Sequence, residues 1–326
     1  MQGKEASEQE TKAKSNVGID VSKCWLDVHV LPGGEATRVA NDPDGIRRLK
    51  RWLARFEIAL VVVEATGKWH RPLRRSLAAS GIPVAVVDPF RVRMFAKAQG
   101  IWAKNDRLDA RVMALFAAVL PPPVRPPAPQ ALEELRELTV ARASAVEQQS
   151  ALKNQLSAAE SAFLKRQLVR RLARVAKDIA ALEGEILRRI KADQALARRY
   201  AILMSVPGIG PVVAASLVAN LAELGACTRR GIAKLAGLAP IDDESGQRRG
   251  VRVIWGGRAG VRRMLYLAAL AAARTDAEMR AFYRRRIADG KRAKVAIIAV
   301  ARKLAVLANT LIQQDRFWQP QVPQQP

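Results

Sequence analysis

IALVVVEATG, residues 58–67, is a continuous apolar run that ends in Glu64 and turn residues. Unbroken apolar runs of this length mark strands covered on both faces, the setting of parallel sheets. The surrounding pattern agrees. DGIRRLKRWLARF (44–56) places Ile46, Leu49, Trp52 and Leu53 at helical spacing with Arg and Lys between them. HRPLRRSLAASG (70–81) reads as a helix closed by Gly81, IPVAVVD (82–88) as a second buried strand, and a helical stretch follows from about Pro89. Upstream, VGIDVSKCWLDVHVL (17–31) reads as one strand, LPGG as a turn and EATRVAND as a returning strand. A hairpin followed by β-α-β-α units predicts a mixed sheet with helices packed on it.

PPPVRPPAP (121–129) ends this domain, because a proline run of such density makes a stiff extended connector. From about 130 to 200 the chain has no strand signal and is rich in strong helix formers. Leu132, Leu135, Leu138, Leu152, Leu156, Phe163, Leu164, Ile179, Leu182, Ile186 and Ile190 recur at a rough three-to-four spacing. Two long helices follow, as a coiled coil (antiparallel or intermolecular) or as a plain helical hairpin. From about 201 the chain is mostly helical with glycine-rich breaks. SVPGIGPVVAASLVANL (205–221) places Gly208 and Gly210 in a turn like that of helix-hairpin-helix modules, whose backbone N–H groups can hold a phosphate. The same turn could simply join two packed helices. The expected organisation is a disordered leader (1–14), an α/β domain (15–122), a proline linker with coiled-coil helices (123–200), a helical domain (201–318) and a disordered tail (319–326).

The 326 residues carry 55 Lys+Arg against 30 Asp+Glu, a formal net charge of +25, and a sequence pI near 11.1. Charge of this size predicts a polyanionic partner, nucleic acid before a membrane surface. No segment reads as long and apolar enough to span a bilayer; the richest, LYLAALAAA (265–273), is too short. The polar start MQGKEASEQETKAKSN lacks a signal-peptide core, so a cytoplasmic protein is expected. Two cysteines and two histidines, without CxxC spacing, argue against zinc and leave carboxylates as the metal ligands available.

Several acids stand out in so basic a chain. Asp20 sits inside a strand, where an unpaired carboxylate is costly to desolvate. Glu64 ends a buried strand, the position where α/β sheets concentrate functional groups. Asp106 and Asp109, in AKNDRLDARV (103–112), lie one turn apart at a helix start. If the four converge, their repulsion demands divalent cations, and oxygen ligands select Mg²⁺ or Mn²⁺. Two such ions suit phosphodiester cleavage. Taken singly the acids have ordinary readings: Asp106 as an N-cap with Asp109 as a capping-box partner, and Glu64 paired to Lys68.

GIDVSK, VEATG and KNDRLDA resemble the Asp, Glu, Asp, Asp tetrad of a RuvC-like, RNase H-fold domain, as found in the DEDD transposases of insertion-sequence family 110. SVPGIGP, KLAGLAP, the ESG turn, IWGGRAGVRRMLYLAAL and FYRRRIADGKRAKVAIIAVARKL are similar to that family's helical transposase domain, in the same order. The resemblance implies that Asp20, Glu64, Asp106 and Asp109 bind metal and that Ser245 is the catalytic serine. It further implies target and donor DNA, a structured non-coding bridge RNA, a homo-oligomer (dimer or tetramer), and a bacterial protein associated with the nucleoid when active. Around Ser245, Arg248, Arg249 and Arg252, with Arg258, Arg262 and Arg263 further on, have the chemistry to clamp phosphates. Trp255 is a candidate nucleic-acid contact, as are the basic groups at 170–174 and 284–294, whereas Trp52, Trp69 and Trp102 read as packing residues. A metal-only RuvC-like nuclease with Ser245 structural, and a non-catalytic nucleic-acid scaffold, are the alternatives.

Overall fold

The computed structural model describes residues 14–320, apart from Thr66, Lys104 and parts of 242–252, where only the backbone of 244–245 and 248–249 is described. The expected disordered leader and most of the tail lie outside the described residues. The chain divides into two compact units, Met1–Ala128 and Pro129–Pro326.

In the first unit, β1 (Ser15–Val21), β2 (Trp25–Leu31) and β3 (Ala36–Ala40) form an antiparallel meander. β4 (Ile58–Glu64) and β5 (Val84–Val87) then extend the sheet parallel to β1, in the order β3-β2-β1-β4-β5. The stretch 17–31 is therefore two strands and not one. Ser22 makes the break: its hydroxyl accepts from the Trp25 N–H at 2.9 Å and donates to the Trp25 carbonyl at 3.0 Å. A side chain that satisfies the turn's backbone groups replaces the Gly or Pro that would mark it in sequence.

The sheet is covered on both faces, as the apolar run of β4 requires. Val17, Ile19, Leu26, Val28, Val61 and Val63 pack on α1 (Pro43–Leu53) and α2 (His70–Ala79) through Ile46, Leu49, Leu53, Leu73 and Leu77. Leu60, Val62, Ala85 and Val87 pack on α3 (Pro89–Ala98) and α4 (Asp106–Val119) through Val92, Phe95, Met113 and Phe116. α1 and α3 start by one rule: Asp42 or Asp88 accepts from the N–H of Gly45 or Phe90, and proline takes the first helical position. Gly18 sets how closely α4 lies on β1, because a Cβ there would run into the α4 backbone at Ala110 and Ala114.

In the second unit, α5 (Gln130–Ala158) and α6 (Ala162–Ala192) form a helical hairpin joined by three residues. Arg142 bridges to Glu183 at 2.7 Å and Arg189 to Glu134, and Leu135, Leu152, Leu168 and Ile190 of these helices are buried. α7 (Gln194–Met204), α8 (Pro211–Asn220), α9 (Arg229–Leu235), α10 (Ala259–Thr275), α11 (Ala277–Ala288) and α12 (Ala293–Gln313) complete the helical body. Between α9 and α10, β6 (Pro240–Ile241) pairs with β9 (Val253–Ile254), and β7 (Glu244–Ser245) with β8 (Arg248–Arg249). α12 corrects one sequence expectation, since by length and composition it could cross a membrane. Here Val300, Ala301, Leu304, Ala308 and Leu311 of that helix are buried as the core of the unit.

Candidate active site

Cross-strand register builds a row of charged side chains across the sheet. Asp20 on β1 lies opposite Asp27 on β2, and Asp27 opposite Arg38 on β3. On the other side, β1 and β4 run parallel with Ile19 beside Val63, so the next residues along are Asp20 and Glu64. Both acids stand at the carboxyl ends of parallel strands, and alternation turns Glu64, like Leu60 and Val62, to the face packed by α4. The first turn of α4 brings Asp106 and Asp109. Its N-cap is Asn105, whose side chain accepts from the Leu108 N–H at 2.9 Å, so Asp106 is not the cap. The ordinary explanation of Asp106 as a helix cap therefore falls away.

The electrostatics follow from this crowding. The Asp20 carboxyl is raised from its ordinary 3.8 to about 6, first by burial and then by Asp109, Asp106, Glu64 and Asp27. Each of the predicted acids thus acts on Asp20. Among the described residues no three acids stand close enough together to hold a metal ion as placed. Their donor set is nonetheless the hard-oxygen type, and the negative charge that raises Asp20 is what a divalent ion would neutralise.

Two members of the row escaped the sequence reading. Asp27 is buried, and Arg38 grips it with two bonds of 2.8 Å while donating a third of 3.0 Å to Asp106. Asp27 has the same signal as Asp20, a carboxylate flanked by inward apolar neighbours in WLDVHVL, but it is informative only once that segment is a separate strand. The Lys68 ammonium lies 5.3 Å from the Trp69 ring centroid. Trp102, read as a packing residue, is 69% exposed; Trp52 and Trp69 do pack against the core.

Ser245 belongs to the second unit. The β7–β8 register sets it across from Arg248, with Glu244 across from Arg249. Arg252 and Gly246 lie outside the described residues. Other basic residues expected at nucleic acid are engaged within the protein. Arg258 clamps Glu223 through bonds of 2.6 and 2.7 Å and also donates to the Asn220 carbonyl. Arg262 donates to the Gly256 and Gly237 carbonyls, and Arg263 pairs with Glu147 on the surface. At Gly208 a Cβ would run into the α10 backbone at Ala268, so this turn packs two helices together. Gly210 is the N-cap of α8.

Residues 17–163 match the DEDD transposase family of IS110 type, and residues 200–284 match the family described as Transposase IS116/IS110/IS902. The chain belongs to the IS110 family of transposases. It is a DNA-rearranging enzyme. Among its relatives, the pilin gene-inverting proteins of Moraxella bovis and Moraxella lacunata are each 24% identical over 316 residues, 93% of this chain and 97% of theirs. The "Insertion element IS900 uncharacterized 42 kDa protein" of Mycobacterium paratuberculosis is 31% identical over 159 residues, 46% of this chain and 39% of its own length. Family membership thus agrees with the resemblance carried by GIDVSK, VEATG and KNDRLDA. The five-stranded sheet with helices on both faces is consistent with the RNase H-like domain of such transposases.

Proposed function

We propose that this transposase is a site-specific recombinase of an insertion element, in which a carboxylate-held metal centre and a serine nucleophile cut and exchange DNA strands under the guidance of a structured bridge RNA. The observation that carries the proposal is the placing of Asp20 and Glu64 side by side at the ends of β1 and β4, under the helix whose first turn bears Asp106 and Asp109; burial first, and then these acids, raise the Asp20 carboxyl. These four residues would hold Mg²⁺ or Mn²⁺, which when bound stabilises charge on the phosphate oxygens. Ser245 would attack phosphorus through Oγ. An O–P bond forms to serine, the P–O bond to the leaving sugar oxygen breaks, and the proton lost by serine is balanced by one gained at that oxygen. The phosphoserine ester conserves the bond energy for rejoining, which simple hydrolysis would lose. The register that puts Arg248 across from Ser245 supports a cation for the non-bridging oxygens.

The relatives named for pilin gene inversion support exchange of strands over hydrolysis alone. The net charge of +25 supports a polyanionic assembly containing both DNA and RNA. The assembly this reading expects is a dimer or tetramer, with the α5–α6 hairpin as its coiled-coil contact. The test is a denaturing gel of Ser245→Ala and Asp20→Asn proteins with substrate DNA and guide RNA. Both variants are expected to lose the covalent protein–DNA adduct. Full cleavage by Ser245→Ala without an adduct would overturn the serine mechanism in favour of a metal-only nuclease.

A further inference from the structure

Asp27 and Arg38 border the acid cluster without belonging to the tetrad. Asp27 is 4% exposed, and both its carboxylate oxygens are taken by Arg38, from Nε and Nη2 at 2.8 Å. A bidentate pair on a buried carboxylate fixes the plane of the guanidinium. Nη2, so fixed, donates also to Asp106 Oδ2 at 3.0 Å. This second contact is of another kind: the Asp106 side chain is 61% exposed and held by one bond, so it is weak and exchangeable. Asp106 has no capping duty to hold it otherwise, since Asn105 caps α4.

We propose that Arg38 is a positioning residue that acts as a built-in counter-ion, holding Asp106 at the β3 side of the row and surrendering it when the tetrad closes on a divalent ion. Arg38 thereby sets the metal affinity of the site. The proposal rests on the reading of Asp20, Glu64, Asp106 and Asp109 as the metal ligands. Arg38 remains on Asp27 throughout; only Asp106 changes partner, by rotation of its side chain. The ion must therefore compete with a guanidinium for one of its four carboxylates.

The experiment is calorimetric titration of Mn²⁺ into the full-length, metal-free protein without nucleic acid, alongside melting curves. In the double variant Arg38→Gln/Asp27→Asn one positive and one negative charge are lost together, so net charge is unchanged, and the two amides can still hydrogen-bond. It is expected to bind Mn²⁺ about 3- to 10-fold more tightly than wild type. Asp27→Asn alone leaves Arg38 with Asp106 as its charged partner, and is expected to bind about 3- to 10-fold more weakly. A merely structural role would weaken both, so opposite directions identify the counter-ion. A folded double variant with wild-type or weaker affinity overturns the proposal; should it misfold, Asp27→Asn binding as tightly as wild type does so. Failure of the underlying tetrad reading looks different: Asp20→Asn would then titrate like wild type, or wild type would show no saturable binding, which overturns both.

Discussion

Replacing Asp20 by Asn should make the metal-free protein more stable at neutral pH, although it removes a residue of the proposed metal centre. The Asp20 carboxyl titrates near 6 in the folded chain against an ordinary 3.8. A carboxyl raised in this way contributes most to stability when protonated. That contribution is complete below the unfolded value of 3.8 and is lost as pH rises through the folded value of about 6. The difference corresponds to about 3 kcal/mol at about 1.4 kcal/mol per pH unit, and solvent screening of a half-exposed carboxyl reduces this to about 1–2 kcal/mol. Asn is isosteric and never ionises, so Asp20→Asn is expected to gain that 1–2 kcal/mol at pH 7.5. By linkage the gain should fall to about a third at pH 4.5 and vanish below the unfolded value. Urea unfolding in EDTA at several pH values measures it, and added Mn²⁺ should stabilise wild type but not the variant. A gain independent of pH, or a loss at pH 7.5, would refute the crowding of acids around Asp20.

Other substitutions probe the supports of the site. Gly18→Ala should push α4 off β1 and destabilise the first unit by about 1–3 kcal/mol, seen as a lower melting temperature and weaker Mn²⁺ binding together. Asn105→Ala should cost about 1 kcal/mol through loss of the cap, with a matching loss of Mn²⁺ affinity because Asp106 and Asp109 ride on that turn. Arg258→Ala should leave Glu223 and the Asn220 carbonyl without their donor and cost about 1–3 kcal/mol in a thermal melt. If Arg258→Ala instead melts like wild type and weakens DNA binding, the side chain serves nucleic acid after all.

Elements whose evidence is local were legible in the sequence. β4 announced itself as an unbroken apolar run, α1 by the helical spacing of Ile46, Leu49, Trp52 and Leu53, and α3 as a helical stretch opening near Pro89; their Asp42 and Asp88 caps became visible only in the structure. Elements whose evidence lies across strands were not. The Ser22 turn carries neither Gly nor Pro, so alternation ran on through it, and the two strands it separates looked like one. With the strands merged, Asp27 had no partner in view, and Arg38 was one basic residue among many. Asn105 and Asp106 are both good caps by residue type, and only the backbone hydrogen bond distinguishes them. α12 is apolar enough to suggest a membrane because a helix packed by neighbours on several sides carries the same composition.

The position of the acids within so basic a chain has its own physical logic. A carboxylate near the surface would be neutralised by whichever Arg or Lys lay closest, and 55 of these are available. Asp20, Asp27 and Glu64 sit instead on neighbouring strands of a sheet covered by helices, and Asp106 and Asp109 approach them on the first turn of α4. Of the basic residues, Arg38 reaches this group by a register position on β3, and two of its three bonds go to a carboxylate outside the tetrad. Asp20 carries the mark of this arrangement, its carboxyl raised first by burial and then by Asp109, Asp106, Glu64 and Asp27, while the chain as a whole holds an excess of positive charge. A half-buried cluster of acids, within a protein whose net charge attracts polyanions, suits the arrival of a small divalent ion together with a phosphate, because the ion offsets the repulsion among the acids and the phosphate adds the negative charge that the rest of the chain attracts.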